Sequence, residues 1–280
     1  YMKVKFWGVR GSIPVSSSRN SKYGGNTSCV EVNCDDKTII LDCGTGVRAL
    51  GLDILERDTV KQNSKNALYI FFSHVHWDHI QGFPFFRVAF HPEYEINIYS
   101  SLHSGKDIES ALSGQMSAPY FPIQLSDMPA KMNFNTIKSD EIVKIDKITI
   151  KSISLNHPGG SLGYKILCDN TSIAYISDHE HIEELNQKMV DFLKNTNLVI
   201  FDAHYTPEEY SGLNGGAGCK GWGHSTWKDA VALCHEANID QLILTHHGHE
   251  DAEIDRIELE AQKEFRNTFA AYEGLEIDMH

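Results

Sequence analysis

The sequence predicts an α/β fold in which two β-sheets are covered by helices. Its 280 residues, 41% of them hydrophobic, are enough for a substantial core. Each half of the chain opens with short β-like segments and continues with alternating strand and helix patterns. No linker or short-period repeat divides the halves, so a single domain is expected over residues 2–280, with Tyr1 set aside as an expression remnant.

In the first half, runs of β-branched and aromatic residues are bounded by glycine- and serine-rich loops, a pattern typical of strands. The predicted strands are Val4 to Trp7, Ser28 to Asn33, Thr38 to Asp42 and Ala67 to Phe72. A helix is predicted from the turn Gly44-Thr45-Gly46 through Leu55.

The second half repeats this organisation. Paired strands are predicted within Glu141 to Ser154 and at Tyr164 to Cys168, and further strands at Ser172 to Ile176, Leu198 to Phe201 and Gln241 to Leu244. Amphipathic patterns predict helices at Ile182 to Leu193 and Thr226 to Ala237.

The middle section from Phe83 to Met132 is rich in large apolar side chains with little helical period. These residues are Phe85, Phe86, Phe90, Tyr94, Met116, Tyr120, Phe121 and Met128. Core and loop packing is the first interpretation, and a wall over the site or a subunit contact is the alternative.

Composition and charge narrow the classes of function. A net charge of −13 opposes a grip on long nucleic acids, although a small anionic substrate is compatible with bound cations. No run is apolar enough for a membrane span or signal peptide, so we expect a cytoplasmic protein without a membrane partner. The six cysteines include no Cys-x-x-Cys pair and are expected to be reduced: Cys29, Cys34, Cys43, Cys168, Cys219 and Cys234.

The segment His74-Val75-His76-Trp77-Asp78-His79 is the strongest functional signal. It follows a predicted buried strand, so its side chains should lie on a loop at the strand's carboxyl end. His74 and His76 can point to one side while Asp78 and His79 point to another, which suits two adjacent metals better than one. Nitrogen and carboxylate ligands without cysteine favour an open, catalytic site for zinc, manganese or iron.

Three further candidate ligands stand where predicted strands stop. His157 precedes a Pro-Gly-Gly turn, Asp178 follows the strand ending at Ile176, and His246 follows the strand ending at Leu244. Each alone is an ordinary turn former or helix cap. Their joint presence predicts that they complete the metal site.

With these residues the chain resembles the metallo-β-lactamase superfamily, whose motif is His-x-His-x-Asp-His, and the resemblance spans nearly the whole chain. It implies a four-layer αβ/βα sandwich of the metallo-β-lactamase type holding two divalent metal ions, zinc first and manganese or iron as alternatives. By this resemblance His74, His76 and His157 bind one metal, Asp78, His79 and His246 bind the other, and Asp178 bridges both. A hydroxide between the metals would be the nucleophile.

A second motif is similar to the phosphodiesterase branch that includes ribonuclease Z. Gly223-His224-Ser225-Thr226 resembles its His-Ser-Thr signature, and Asp202 lies where the branch has an acidic residue orienting that histidine. The resemblance makes Asp78, His224 and Asp202 catalytic. Without it, His224 precedes a helix cap and Asp202 caps a strand end.

Ribonuclease Z has a transfer-RNA-binding arm between the residues matching His157 and Asp178. Only 20 residues, 158–177, separate them here. Together with the charge, this favours a small phosphodiester over transfer RNA.

Polar residues in two early loops are candidate substrate contacts: Arg10, Ser12, Asn26 and Thr27. Their loops resemble those of hydrolases allied to cyclic-nucleotide and cyclic-phosphate phosphodiesterases, and turn chemistry is the alternative. The histidines 179, 181, 247 and 249 are expected to support the ligands or lie at the surface, and the tryptophans 77, 222 and 227 to pack in the core rather than stack on a base.

These observations predict a hydrolase of small phosphodiesters, with 3′,5′-cyclic nucleotides favoured and His224 assisting. The alternatives are a carboxyl-ester or lactone hydrolase of the same fold and a ribonuclease Z-like nuclease. A diiron electron-transfer protein or a binding module with a relic site fits the ligands less well. A homodimer is compatible with the sequence.

Overall fold

The computed structural model describes residues 1–60 and 66–279, which form two seven-stranded sheets. The first sheet contains β1 (Met2–Gly8), β2 (Cys29–Cys34), β3 (Lys37–Leu41), β4 (Asn66–Phe71), β5 (Tyr94–Ser100), β6 (Lys131–Thr136) and β14 (Glu276–Met279). The second contains β7 (Ile142–Ile145), β8 (Ile148–Leu155), β9 (Ser161–Cys168), β10 (Thr171–Ile176), β11 (Leu198–Asp202), β12 (Gln241–Thr245) and β13 (Thr268–Ala270).

The strand order is β14-β1-β2-β3-β4-β5-β6 in the first sheet and β13-β12-β11-β10-β9-β8-β7 in the second. In the first sheet β3 to β6 are parallel, and in the second β10 to β13 are parallel. Parallel strands direct their carboxyl ends to one edge, so the loops that follow them converge there.

The described residues contain seven α-helices. They are α1 (Val47–Val60), α2 (Trp77–Ile80), α3 (Ile108–Gln115), α4 (Asn186–Leu193), α5 (Pro207–Ser211), α6 (Trp227–Ala237) and α7 (Asp251–Glu264). Short 3₁₀ helices lie at Ser18–Asn20, Phe83–Phe85, Arg87–Phe90, Leu125–Asp127 and Glu183–Leu185. Within the described residues, no helix has the length and apolar character needed to cross a membrane.

Three apolar clusters define four layers. One lies between the sheets, where β1 alternates buried and half-buried residues. A second packs α1 and α3 on the first sheet, and a third packs α4, α6 and α7 on the second. Because helices cover its outer face, β11 is buried on both sides, and the four residues before its last residue, Asp202, are all apolar. The predicted αβ/βα sandwich is confirmed.

The middle section mainly fills the second cluster. Phe83, Phe86, Met116 and Met128 are buried there, which supports the packing interpretation, while Tyr120 is exposed. The section also contains β5 and β6, where no strand was predicted. In β5 buried and half-buried residues alternate, but large apolar residues before and after it obscure that period in the sequence.

The expectation that all cysteines are reduced is wrong for one pair. Cys34 at the end of β2 and Cys168 at the end of β9 form a disulfide across 134 residues. Both side chains enter the core between the sheets, so two strands that are distant in sequence bring them together. Cys29, Cys43, Cys219 and Cys234 are free, and all but Cys219 are buried.

Candidate metal centre

The candidate ligands gather at the carboxyl ends of strands from both sheets. The loop after β4 supplies His74 and His76, the short helix α2 supplies Asp78 and His79, and the ends of β8, β10 and β12 supply His157, Asp178 and His246. β10 and β12 are almost entirely buried and β8 buries one face, so the framework is packed where the polar side chains begin. All seven predicted ligands therefore meet at one edge.

Four of them form what we call the outer cluster: His74, His76, His157 and Asp178. The Nδ1 atom of His76 lies 3.0 Å from Nε2 of His74 and 3.0 Å from Nε2 of His157. Asp178 Oδ2 completes the group at 3.5 Å from His74 Nε2 and 3.6 Å from His157 Nε2. Three nitrogens and one oxygen thus face a common centre.

The inner cluster consists of Asp78, His79, His246 and the same Asp178, and all four residues are buried. His79 Nε2 lies 3.2 Å from Asp78 Oδ2 and 3.1 Å from Asp178 Oδ1. His246 Nε2 lies 3.1 Å from Asp78 Oδ2 and 3.2 Å from Asp178 Oδ1. Asp178 turns one oxygen to each cluster, which is the geometry of a bridging carboxylate.

The donor atoms fit divalent cations. Metal–ligand bonds of 2.0–2.2 Å in a tetrahedron separate the ligand atoms by about 3.3 Å, close to the spacings in both clusters. His79 Nε2 is buried and has no hydrogen-bond partner among the described residues, although carboxylates lie beside it. A cation bound at this position would be the missing partner of the buried nitrogen and of the carboxylates beside it.

Hydrogen bonds on the far sides of two rings leave Nε2 free to bind. His157 Nδ1 donates to the carbonyl oxygen of Gly223 at 2.8 Å, and His79 Nδ1 donates to Asp42 Oδ2 at 2.8 Å. In a neutral imidazole the other nitrogen then carries the lone pair. Both free nitrogens point into the clusters, as metal-binding histidines do.

The electrostatics of the inner cluster also favour a cation. Burial opposes a charge on His79, but the carboxylates of Asp178, Asp78 and Asp42 raise its pKa well above the usual value. Burial would raise the pKa of Asp178, yet His246, His79 and His74 lower it well below its usual range. The carboxylates that hold a proton on His79 would equally attract a metal in its place.

Asp42 is a supporting residue that was not predicted as functional. Its buried carboxylate accepts hydrogen bonds from Ser73 N at 2.7 Å, Ser73 Oγ at 2.8 Å and Tyr175 Oη at 2.8 Å, besides the bond from His79. These donors fix the carboxylate, and the carboxylate fixes the imidazole of His79. Its position at a strand end was the only signal in the sequence.

His224 and Asp202 lie together beside the clusters, as predicted. His224 Nδ1 donates to Asp202 Oδ2 at 2.8 Å, and its ring stacks on His246 with centroids 4.9 Å apart. Burial alone would lower the pKa of His224, but the Asp202 carboxylate raises it to about 9. Asp202 also accepts from the backbone N–H groups of His179 and His204, which holds it in place.

Glu180 braces the loop before His224 and was also missed. Its carboxylate accepts from Tyr210 Oη at 2.6 Å and from the backbone N–H groups of Gly221 at 2.7 Å and Gly223 at 3.0 Å. Gly223 has a φ of 89°, and a Cβ there would lie 2.3 Å from His157 Nδ1. Only glycine therefore lets this carbonyl reach His157.

One of the four predicted substrate contacts reaches the site. The backbone N–H of Ser12 donates to Asp78 Oδ2 at 2.8 Å. Ser12 also lines a cavity of about 400 Å³ over the clusters, together with His76, Asp78, Asp178 and His224. Ser12 thus lies at the opening of the site.

The structure does not bring Arg10, Asn26 and Thr27 to the clusters, which corrects their prediction as substrate contacts. The Arg10 guanidinium is 1% exposed and binds Asp251 and the carbonyl oxygens of Gly24 and His249. Asn26 binds the carboxylate of Glu273 through its backbone and amide nitrogens.

Thr27 and Thr45 form two hydrogen bonds of 2.9 Å, in which the backbone N–H of each residue donates to Oγ1 of the other. All three polar side chains hold the early loops to the framework.

The histidines beside the ligands have mostly supporting contacts, as expected. His179 Nδ1 accepts from the backbone N–H of Asn156, and His247 Nε2 donates to the carbonyl oxygen of Ala271. His249 binds Glu209. His204 was not predicted, yet its ring stacks on His224 with centroids 4.7 Å apart.

The core prediction for the tryptophans holds for Trp227 alone. Trp77 and Trp222 are exposed, and Trp77 lines the cavity over the clusters. Trp77 is the first residue of α2, and Trp222 lies on the loop that leads to α6.

Comparison with known proteins agrees with this geometry. A model of the β-lactamase superfamily domain matches residues 37–247. Ribonuclease Z of Haloarcula marismortui is 24% identical over 187 residues, 65% of this chain and 52% of that protein, so the chain spans about half the length of this relative. Ribonuclease Z of Picrophilus torridus is 22% identical over 318 aligned positions, covering 99% of this chain and 96% of that protein.

Among solved structures, the metallo-β-lactamase fold protein YhfI from Bacillus subtilis superposes with a TM-score of 0.72 at 19% identity, covering 99% of this chain and 98% of that one. This likeness concerns the fold. The family model spans more than half of the chain, and the matched residues 37–247 include all seven predicted ligands. The chain therefore belongs to the β-lactamase superfamily and is an enzyme with the metallo-β-lactamase fold.

Proposed function

We propose that the protein is a phosphodiesterase that uses two divalent metal ions, one in each cluster, and acts on small phosphodiesters, with 3′,5′-cyclic nucleotides favoured. The observation that carries the proposal is the Asp202–His224 pair beside the clusters. An ester or lactone hydrolase needs the metals, but a histidine held by a carboxylate next to them suits a substrate with a further anionic oxygen.

When bound, two divalent cations would neutralise a phosphate and lower the pKa of a water molecule between them. Outer ligands His74, His76 and His157 and inner ligands Asp78, His79 and His246 would hold them, with Asp178 shared. Zinc suits the donors, and manganese or iron are alternatives.

His224 acts on the substrate. Its Nδ1 is bound to Asp202, so Nε2 is the atom available to a phosphate oxygen. Asp202 holds the ring in this orientation and stabilises its charged form. His224 can therefore donate a hydrogen bond to the phosphate and a proton to the leaving oxygen.

The experiment is hydrolysis of cyclic AMP, cyclic GMP and bis(p-nitrophenyl) phosphate by protein loaded with Mn²⁺ or Zn²⁺. The His224→Ala variant should lose about 10²–10⁴-fold in kcat while keeping its metal content. His235→Ala on the exposed face of α6 is the matched control and should retain wild-type activity. Failure of the loaded wild type on all three substrates would refute the proposal.

A carboxyl-ester or lactone hydrolase is distinguished by the same variant. Such an enzyme would keep most of its activity without His224.

Processing of a transfer-RNA precursor is favoured by the similarity to ribonuclease Z. Against it, β9 and β10 occupy most of the interval between His157 and Asp178, where the RNA-binding arm is expected.

Cleavage of a precursor transfer RNA, with cyclic nucleotides left intact, would establish the nuclease function instead.

A homodimer and a cytoplasmic location remain predictions. Sedimentation of the purified protein tests whether it is a dimer.

A further inference from the structure

A second cavity lies behind His224, on the far side of His204. Its volume is about 410 Å³. We call it the Trp222 pocket, and its lining includes His204, Glu209, Asn214, Cys219, Trp222 and His249. None of these residues belongs to the two metal clusters, yet the pocket is large enough for a flat organic group.

His204 connects this pocket to the site. Its ring stacks on His224 at 29° with centroids 4.7 Å apart, and its Nδ1 donates to the carbonyl oxygen of the ligand His246 at 2.9 Å. A single imidazole therefore separates the pocket from the residue that would face the phosphate.

Hydrogen bonds hold the backbone of the loop that carries Trp222. Its backbone N–H donates to Cys219 O at 3.1 Å, Cys219 N donates to Tyr210 O at 3.0 Å, and Gly221 N donates to Glu180 at 2.7 Å. The indole nevertheless remains 64% exposed. An exposed aromatic ring on a hydrogen-bonded loop is a preorganised stacking surface, because little entropy is lost when a second ring covers it.

The charge of the pocket decides which end of a substrate it accepts. Glu209 places a carboxylate on the wall, and the bonds it accepts from Thr206 and His249 all end on Oε2. A phosphate would be repelled here, whereas an exocyclic amine could donate to the remaining oxygen. The amide of Asn214 adds a neutral donor and acceptor.

We propose that the Trp222 pocket binds the nucleobase of a nucleotide phosphodiester, with the base stacked on Trp222 and its amino edge toward Glu209. The inference rests on the proposed phosphodiesterase function and names the part of the substrate that the metal clusters do not recognise. Trp222 is thus a specificity residue that contacts the substrate away from the reacting atoms.

The kinetic test compares two substrates that differ only in the base: cyclic AMP, and a methyl riboside 3′,5′-cyclic phosphate with a methoxy group in its place. Trp222→Ala should raise KM for cyclic AMP about tenfold, since stacking on an aromatic side chain contributes this much to base binding. KM for the base-free substrate should stay within about twofold, because it makes no stack. Trp222→Phe should restore most of the difference.

Leu213→Ala is the matched control in the same loop, because Leu213 is 81% exposed and is not among the pocket-lining residues. It should leave both substrates unchanged. An equal effect of Trp222→Ala on both substrates would overturn the pocket while leaving the phosphodiesterase proposal intact.

A binding measurement separates the two proposals when no hydrolysis is found. Adenosine, which has no phosphate to bind the metals, is titrated calorimetrically into the metal-loaded protein. Binding that weakens about tenfold in Trp222→Ala supports the pocket even if the proposed reaction fails. Absence of adenosine binding to the wild type, or binding that is equal in the two proteins, would overturn it.

Discussion

The outer and inner clusters share Asp178 but differ in charge and exposure. The outer cluster has three histidines and one carboxylate, and His76 is exposed; the inner cluster has two carboxylates, and all its members are buried. Ligand charge and enclosure favour metal retention. We therefore expect the inner cluster to hold its ion more tightly and the outer cluster to be the side that a substrate approaches.

The shared ligand gives the largest expected effect. Asp178→Asn keeps the shape of the side chain but removes the charge that both clusters use. Because the lost charge stabilisation amounts to several kcal/mol, activity should fall on the order of a thousandfold or more, and elemental analysis should show fewer ions per chain. Asp191→Asn on the exposed side of α4 is the control for the same chemical change. Retention of two ions with full activity in Asp178→Asn would show that the carboxylate does not bridge.

A change to the direct support of the inner cluster comes next. Asp42→Asn weakens the hydrogen bond from His79 Nδ1 without replacing a ligand. Metal affinity of the inner cluster should fall about 10–100-fold, the usual effect of losing such a partner, while the outer cluster, which Asp42 reaches only through Ser73 and His74, should lose less. Metal titration monitored by calorimetry measures the affinities of both clusters.

Tyr175→Phe removes another donor to the same Asp42 oxygen but leaves the bond from His79 in place, so its effect should be smaller. An equal loss at both clusters in Asp42→Asn would contradict the separation between them.

The smallest effect is expected at the outer cluster, where the support is indirect. Glu180→Gln removes the charge that holds Gly221 and Gly223, and Gly223 in turn orients His157. Charge-assisted hydrogen bonds contribute about 1.5–3 kcal/mol, so thermal unfolding should occur at a lower temperature. Outer-cluster affinity should fall by less than about tenfold, since two bonds separate Glu180 from the ligand.

Tyr210→Phe removes one of the donors to Glu180 and leaves the loop bonds, so it should lower stability with no change in metal affinity. A Glu180→Gln variant that loses metal affinity mainly at the inner cluster would contradict the role of Glu180 in supporting the outer cluster.

The sequence was sufficient to indicate the residues that gather in the two clusters, because each follows a predicted strand. For β4, β10 and β12 the parallel arrangement brings the carboxyl ends to one edge, whereas His157 follows β8, which is antiparallel to both of its neighbours. The 74–79 segment also places four polar side chains within six residues. Local pattern and fold topology therefore indicated the same residues, and the structure brings them together.

The supporting residues and the framework loops could not be predicted in this way. Asp42 contacts Ser73, His79 and Tyr175, which come from separate segments. Arg10 in a glycine-rich loop looks like a phosphate contact until its partner Asp251 is known. Such roles depend on pairs that are distant in the chain, and the position of Asp42 at a strand end does not identify its partners.

The most direct test is the number of metal ions that one chain binds. Metal-free protein is titrated with Zn²⁺, and binding is followed by calorimetry with elemental analysis of the product. Two ions per chain in distinguishable steps, with the tighter step weakened selectively by Asp42→Asn, is the predicted result. Saturation of the folded wild-type protein at one ion would contradict the two-cluster centre.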